Sequence, residues 1–213
     1  MGGRTPANQK PGENMASRRR RRKTGAAGLV ATLIGAILVV ALIALGYIML
    51  NRSEWAKYPV LYQDEITSAA DENGLPAPFV AAVIMAESSY DPGAVSPVGA
   101  MGLMQIMPDT GQWIAGKLGE DYDQTAMLNA GTSIRYGTWY LGFLMKRYDG
   151  DVTCATAAYH AGQGTVDGWL QDPAYSLDGK TLYGIGYDST AKYVKRVLDL
   201  YDYYQKAYAT ATD

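Results

Sequence analysis

PAPFVAAVIMAESSYDPGAVSPVGAMGLMQIMP, residues 76–108, combines an apolar run, a single glutamate and a glycine-rich loop. The apolar run predicts a helix over residues 76–89. Glu87 stands near the end of that helix, and the loop that follows is rich in Gly, Pro and Ser. Ile84, Val83 and Val80 precede Glu87 by three, four and seven residues, so these four side chains share one face of the helix.

The apolar neighbours of Glu87 determine what its carboxyl group can do. A carboxylate on an apolar face loses hydration, and this loss favours the neutral acid over the charged form. We therefore expect Glu87 to stay protonated well above the usual glutamate pKa of about 4.3. An acid of this kind is suited to donating a proton to a leaving oxygen, as the general acid of a glycosidase does.

The rest of the folded region also has helical periodicity. Gly74 is a predicted helix end, and Asp109 or Thr110 is a predicted N-cap for a short helix. The sequence contains no convincing period-two alternation and no internal repeat, so the predicted fold class is all-α with functional loops between helices. Further helices are predicted over 60–74, 107–119, 129–150, 151–162, 163–173 and 189–208.

The N-terminal region predicts a membrane anchor. Residues 1–24 read as a disordered basic cytoplasmic tail that includes the run Arg18–Arg22 and Lys23. Residues 25–50 contain no charged residue and exceed the roughly 20 residues that span a bilayer, so they predict a transmembrane helix. A cleaved signal peptide is the alternative. Residues 51–59 predict a juxtamembrane stalk, and residues 60–208 a catalytic domain.

Charge and cysteine content exclude several classes of protein. Residues 1–50 hold eight Lys or Arg and one acidic residue, whereas the remainder holds eleven basic and twenty acidic residues. The folded region is therefore acidic, and we expect no nucleic-acid partner. The one cysteine, Cys154, rules out an intrachain disulfide and predicts a small buried side chain. The chain has no set of Cys and His with zinc spacing, so we expect neither a metal nor a cofactor.

Four motifs in order resemble those of the soluble-type lytic transglycosylases. They are Glu87-Ser88, the segment GLMQIMP at 102–108, the segment AYHAG at 158–162, and the segment YVKRV at 193–197. The resemblance covers about residues 60–206 and implies a lysozyme-like domain. The four motifs in this order are specific for the family, whereas no single one of them is.

The resemblance implies a reaction that needs one carboxylate. Glu87 would protonate the β-1,4 glycosidic oxygen between N-acetylmuramic acid (MurNAc) and N-acetylglucosamine (GlcNAc). As a carboxylate, Glu87 would then take the proton of the MurNAc C6 hydroxyl, which closes a 1,6-anhydro ring. Since no water attacks, no second carboxylate is required, unlike in most glycosidases. Asp91, the nearest acid in sequence, precedes Pro92-Gly93 and predicts a turn.

The same resemblance implies a set of substrate-binding residues beside the catalytic Glu87. Two positions depart from the family pattern: His160 stands where asparagine is usual, and Ser189 stands where glutamate is frequent. Neutral imidazole can donate and accept one hydrogen bond each and titrates near neutral pH, so we expect His160 to add a pH dependence. The implied substrate-binding residues are Ser88, Gln105, Met107, Tyr159, His160 and Tyr193.

Three functions therefore stay open at this level. The first is a peptidoglycan lytic transglycosylase in the bacterial cell membrane, single-pass, with a cytoplasmic N-terminus and an extracytoplasmic catalytic domain. The second is a muramidase that uses water, and the third is an inactive glycan-binding scaffold. The expected partners are peptidoglycan glycan strands, the membrane through residues 25–50, and cell-wall or envelope-spanning machinery. Trp113, Trp139 and Trp169 are expected in the core rather than in sugar subsites.

Overall fold

The computed structural model describes residues 2–3, 28–47 and 58–211, with side chains placed up to residue 209. Most of the predicted tail and most of the predicted stalk lie outside these residues. The chain divides into two units, Met1–Lys57 and Tyr58–Asp213. The predicted boundaries at residues 24, 50, 59 and 208 stay predictions.

The described residues are helical. In them no strand forms, and two isolated antiparallel bridges join Val95 to Met101 and Met101 to Ile106. This confirms the all-α fold class. The helices are α1 (Gly28–Tyr47), α2 (Gln63–Asn73), α3 (Ala77–Ser88), α4 (Pro108–Leu118), the 3-10 helix η1 (Gln124–Leu128), α5 (Ala130–Arg147), α6 (Val152–Ala161), α7 (Gln163–Gln171) and α8 (Asp188–Ala211).

Helix α1 is long and apolar enough to cross a membrane. It has 20 residues, a mean hydropathy of 2.8 and no burial within the described residues. At 1.5 Å per residue it extends about 30 Å, which matches the hydrocarbon thickness of a bilayer.

Helix α3 is the centre of the second unit. All residues from Phe79 to Ala86 are buried, so the helix is apolar on every side rather than on one face. Helix α8 packs along it, with Tyr201 of α8 5.3 Å from Phe79 between ring centroids. Because α3 has no solvent-facing side, its last residues carry Glu87 into the interior of the unit.

The end of α2 and the start of α4 can be compared with the helix boundaries predicted from the sequence. Gly74 ends α2 in the left-handed region at φ 67°, as predicted. The predicted cap of α4 by Asp109 or Thr110 is wrong, because α4 begins at Pro108 with Met107 as N-cap and no side-chain cap bond. Proline takes the first helical position since its missing N–H has no helical partner there. Helix η1 has no counterpart among the predicted helices.

The cleft loop (residues 89–107) joins α3 to α4 and needs glycine at close contacts. Gly102 has φ 76°, and a Cβ added there would lie 1.9 Å from the carbonyl oxygen of Met127. On α5, a Cβ added to Gly137 would lie 2.4 Å from Sδ and 2.6 Å from Cβ of Met104. The cleft loop therefore lies directly on the backbone of α5.

Replacement of Gly137 by alanine is expected to destabilise the domain by about 1–3 kcal/mol, because Met104 Cβ and the α5 backbone must separate. Gly116→Ala on α4 is the matched control, since its added Cβ meets nothing within 4 Å and alanine favours helix. We expect this control to be neutral or stabilising by up to about 1 kcal/mol. Urea unfolding of both variants measures the difference, and equal stability would contradict the close approach.

Candidate active site

Glu87 and Tyr193 form the centre of the candidate site. Glu87 lies one residue before the end of α3, and its side chain is part-buried. Tyr193, from the first half of α8, donates its phenolic O–H to Oε1 of Glu87 at 2.5 Å. Two residues separated by 106 positions in sequence are thus joined by the packing of α8 on α3.

Burial raises the pKa of Glu87 from 4.5 to about 7. Loss of hydration is the largest cause, and the hydrogen bond from Tyr193 and the charge of Arg196 act in the opposite direction. A pKa near neutrality lets one carboxyl group donate a proton and later take one back. The protonated glutamate predicted from its apolar neighbours is therefore a feature of the folded domain.

Arg196 lies one turn after Tyr193 on α8. Its guanidinium donates to the main-chain oxygen of Met85, at 3.3 Å, in the last turn of α3. The positive charge near this helix end favours the carboxylate form of Glu87 and so limits the rise of its pKa. Sequence reasoning missed Arg196, although its spacing of three residues from Tyr193 places both on one face of α8.

Ser88 fastens the end of α3 to the cleft loop. Its hydroxyl donates to the carbonyl oxygen of Leu103 at 2.9 Å and also lies 3.3 Å from that of Ile84. The implied contact of Ser88 with substrate stays a prediction. The hydrogen bond from Ser88 to Leu103 links α3 to the GLMQ segment.

Gln105 lies in the left-handed region with φ 47°, which is costly for a residue with a side chain. Its amide nitrogen donates to the carbonyl oxygens of Ala94 and Gly102, at 3.1 and 3.0 Å. These two bonds fix the amide plane and leave its oxygen to accept a hydrogen bond from a ligand. Met107 is 40% exposed, whereas Met104 is fully buried.

Tyr159 connects α6 to the same loop. Its hydroxyl donates to the carbonyl oxygen of Met104 at 2.8 Å. Burial raises the pKa of Tyr159 well above its ordinary value, and the nearby charge of Glu87 adds to the rise. Tyr159 therefore lies close to Glu87.

His160 contacts the ring of Tyr193, which in turn bonds Glu87. The two rings lie 4.6 Å apart between centroids and are tilted by 33°. Nδ1 of His160 is 3.1 Å from the hydroxyl of Thr190, which is buried. Partial burial lowers the pKa of His160 from its usual 6.5, so the imidazole is neutral at neutral pH.

Thr190, three residues before Tyr193, was not singled out from the sequence, although the helical period places the two together. Its neighbour Ser189 is exposed.

Asp91 and Cys154 behave as the sequence predicts. The carboxylate of Asp91 accepts a hydrogen bond from the backbone N–H of Gly93 at 2.8 Å, which builds the expected turn. Cys154 is buried, and loss of hydration raises the pKa of its thiol to about 12. Across the part of the chain that the structure describes, no group of His, Cys, Asp and Glu is placed to hold a metal ion.

Comparison with known proteins gives a consistent assignment. Residues 64–180 match the model of the family described as the Transglycosylase SLT domain. The soluble lytic murein transglycosylase of Salmonella typhimurium (strain LT2) is 34% identical over 152 residues, which are 70% of this chain and 24% of the relative. The membrane-bound lytic murein transglycosylase C of Actinobacillus pleuropneumoniae serotype 5b is 32% identical over 115 residues, 49% of this chain and 32% of the relative.

Solved structures agree with this comparison. An inactive mutant of the lytic transglycosylase Slt from Pseudomonas aeruginosa superposes with a TM-score of 0.64 at 29% identity, over 71% of this chain and 25% of that chain. The 70 kDa soluble lytic transglycosylase of Escherichia coli gives 0.63 at 29% identity, over 70% and 25%. The chain spans about a quarter of the length of the soluble curated relatives it matches.

The raised pKa of Glu87 makes stability depend on pH. In the window between the unfolded value near 4.5 and the folded value near 7, the folded state holds a proton that the unfolded state has lost, so stability falls as pH rises. Glu87→Gln removes this effect. We expect the variant to gain about 3 kcal/mol over the wild type from pH 4 to pH 8.

Urea unfolding at several pH values measures this gain, and Glu65→Gln, an exposed change on α2, is the control. A stability difference between Glu87→Gln and wild type that does not change with pH would contradict the raised pKa.

Proposed function

The chain belongs to the transglycosylase SLT family, and on that premise we propose that it is a peptidoglycan lytic transglycosylase. The observation that carries the proposal is the carboxyl group of Glu87, with a pKa of about 7 and a hydrogen bond from Tyr193. The printed names of its relatives, lytic murein transglycosylases, support the same reaction.

The proposed reaction uses Glu87 first as an acid and then as a base. The protonated carboxyl donates to the glycosidic oxygen between MurNAc and GlcNAc, and the bond from that oxygen to the anomeric carbon breaks. The N-acetyl group of MurNAc stabilises the positive charge that develops at this carbon. The carboxylate then takes the proton of the C6 hydroxyl, whose oxygen closes the 1,6-anhydro ring. Glu87 ends the cycle protonated, ready for the next bond.

Tyr193 fits both halves of this cycle. A phenol with a strongly raised pKa stays protonated and donates to Glu87 in either state of the carboxyl group. Arg196 adds a positive charge that favours the carboxylate, the form that leaves the first step. Tyr193 and Arg196 limit the rise in the pKa of Glu87, so its carboxyl group can still donate the proton. Burial keeps the same group protonated near neutral pH.

The surroundings of Glu87 support anhydro-ring closure over hydrolysis. Within residues 58–211, the groups that shift the pKa of Glu87 are Tyr193 and Arg196, and no second carboxyl is among them. Asp91, the nearest acid in sequence, is engaged in its turn with Gly93. A muramidase would use a second carboxylate to activate water or to form a covalent bond.

We propose that the implied substrate residues act in two groups. Gln105 and Met107, from the cleft loop, present an amide oxygen and an exposed apolar side chain to the sugar. Ser88, Tyr159 and His160 act close to Glu87, in part by fixing the cleft loop and Tyr193.

The membrane assignment is a further part of the proposal. The exposed apolar helix α1 and the Arg-rich run before it support a single span with the N-terminus in the cytoplasm and the catalytic domain outside. The name of the membrane-bound relative supports anchoring in general terms. A catalytic domain on a short predicted stalk would act on the nearby wall, where cell-wall or envelope-spanning machinery would be its partner.

The test of the reaction is mass spectrometry of purified sacculi after digestion by the wild type and by Glu87→Gln. We expect 1,6-anhydro-MurNAc ends from the wild type and a loss of at least about a hundredfold in the variant, because the proton donor is gone. The inactive Pseudomonas aeruginosa relative likewise carries a glutamate-to-glutamine change.

Reducing ends in place of anhydro ends would identify a muramidase. Binding of sacculi by the wild type without any cleavage would identify an inactive scaffold.

His160→Asn tests the pH dependence that we assign to His160. Protonation below its lowered pKa removes the acceptor of the imidazole, so the wild-type rate should fall on the acid side, at a lower pH than for an exposed histidine. Asparagine does not titrate, so the variant should keep its rate there. The alkaline fall near pH 7, set by Glu87, should be the same in both and serves as the internal control. A pH–rate profile unchanged by the substitution would remove His160 from the titration.

A further inference from the structure

The backbone leaves the catalytic helix α3 through two left-handed residues, neither of which is glycine. Ser89 and Tyr90, two and three residues after Glu87, have φ of 54° and 66°. This conformation is costly for a residue with a Cβ and is an outlier for a bulky one. Helices α2 and α4 end in the same region on glycine, at Gly74 and Gly119. A tyrosine at such a position indicates that its ring makes a contact that glycine could not replace.

The side chain of Tyr90 contacts both helices that meet at Glu87. It is 4% exposed. Its hydroxyl donates a long hydrogen bond, of 3.5 Å, to the main-chain oxygen of Ala81 on α3. Ala81 precedes Glu87 by six residues, so the ring of Tyr90 lies back along α3 by about 9 Å. On the α8 side, its centroid is 6.3 Å from that of Tyr204, at an angle of 58°.

Tyr204 is a fixed partner for this ring. It is fully buried, and its hydroxyl donates to the main-chain oxygen of Pro59 at 2.9 Å. Tyr204 follows Tyr193 by eleven residues, which is close to three helical turns, so both lie on one face of α8. One of these two tyrosines bonds Glu87, and the other packs on Tyr90.

The end of α3 is thus held by two side chains that follow Glu87. The hydroxyl of Ser88 holds it to the cleft loop, and the ring of Tyr90 holds it to α8. The backbone cap is one hydrogen bond, from the N–H of Ser89 to the oxygen of Met85 at 3.2 Å. Without the ring, the strained turn loses the contact that offsets its cost, and the last turn of α3 would fray, as helix ends do. Water would then reach the carboxyl group of Glu87.

We propose that Tyr90 is a positioning residue for the acid. By packing on both helices it fixes the end of α3, so that the carboxyl group of Glu87 stays poorly hydrated and within reach of Tyr193. The inference rests on the proposed function, in which Glu87 is the proton donor. Tyr90 acts through Glu87 and needs no contact with the sugar.

The titratable groups that face Glu87 within the described residues come from α8 and α6. They are Tyr193 and Arg196 of α8 and Tyr159 of α6, with His160 behind the ring of Tyr193. Substitution of Tyr90 removes none of these groups. Burial raises the pKa of Tyr90 far above its ordinary value, so its own titration does not enter measurements near neutral pH.

The test is the pKa of Glu87 in the full chain in detergent, measured by NMR of 13C-labelled glutamate carboxyl groups. The signal of Glu87 is identified by its absence from Glu87→Gln. We expect about 7 in the wild type. Tyr90→Gly removes the ring and relieves the left-handed strain, and it should lower this pKa by about one pH unit or more, because the carboxyl group becomes hydrated. Tyr90→Phe keeps the ring and should keep the pKa near 7.

Three further variants separate positioning from general stability. Tyr204→Leu removes the same contact from the α8 side and should lower the pKa of Glu87 in the same direction. Tyr204→Phe keeps the ring and should not. Leu144→Ala opens a cavity at a fully buried position on α5, and it should destabilise the domain while leaving the pKa of Glu87 unchanged.

The pH–rate profile on sacculi gives a second readout. In Tyr90→Gly the alkaline fall should move to lower pH by the same amount as the pKa of Glu87, because the acid loses its proton earlier. At neutral pH kcat should fall while KM stays the same, since Tyr90 is not assigned to the sugar.

A pKa of Glu87 that stays near 7 in Tyr90→Gly and Tyr204→Leu would overturn the positioning role. An equal fall in Leu144→Ala would overturn it as well, because any loosening of the core would then have the same effect. A wild type that forms no anhydro ends, with the pKa of Glu87 lowered in Tyr90→Gly alone, would overturn the proposed reaction and leave the positioning role standing.

Discussion

The hydrogen bond from Tyr193 to Glu87 joins the two helices on which the domain is built. Helix α3 is buried on all sides, so its end carries a carboxyl group into a poorly hydrated place. Helix α8 packs along it and supplies both the phenol and the guanidinium that moderate the loss of hydration. If α8 shifted by one residue, Tyr193 would rotate by about 100° away from Glu87, and the acid would lose its donor.

The rest of the fold compensates for the stability that this arrangement loses. Holding a carboxyl group at a pKa of about 7 lowers stability at neutral pH, and the packing of α3 against its neighbours offsets that loss. The cleft loop adds constraints of the same kind: Gln105 is left-handed, and Gly102 lies against the backbone at Met127. Strain of this sort is found where the positions of functional groups must be fixed.

Around Glu87 and Tyr193, the other site residues lie on the cleft loop and on the helices that it contacts. The cleft loop is tied to α3 by Ser88 and to α6 by Tyr159. The ring of His160 packs at a tilt on that of Tyr193, and its Nδ1 contacts the hydroxyl of Thr190.

The sequence by itself determined the helical class, the burial of Glu87 and the motifs that identify the family, because apolar periodicity and short motifs are local properties. It also placed Asp91 in a turn and Cys154 in the core. Tertiary structure decided the rest: the contacts of Arg196 with α3 and of Thr190 with His160 depend on which helices pack together. The expected cap of α4 by Asp109 or Thr110 failed for a local reason, because Pro108 takes the first helical position and Met107 the cap.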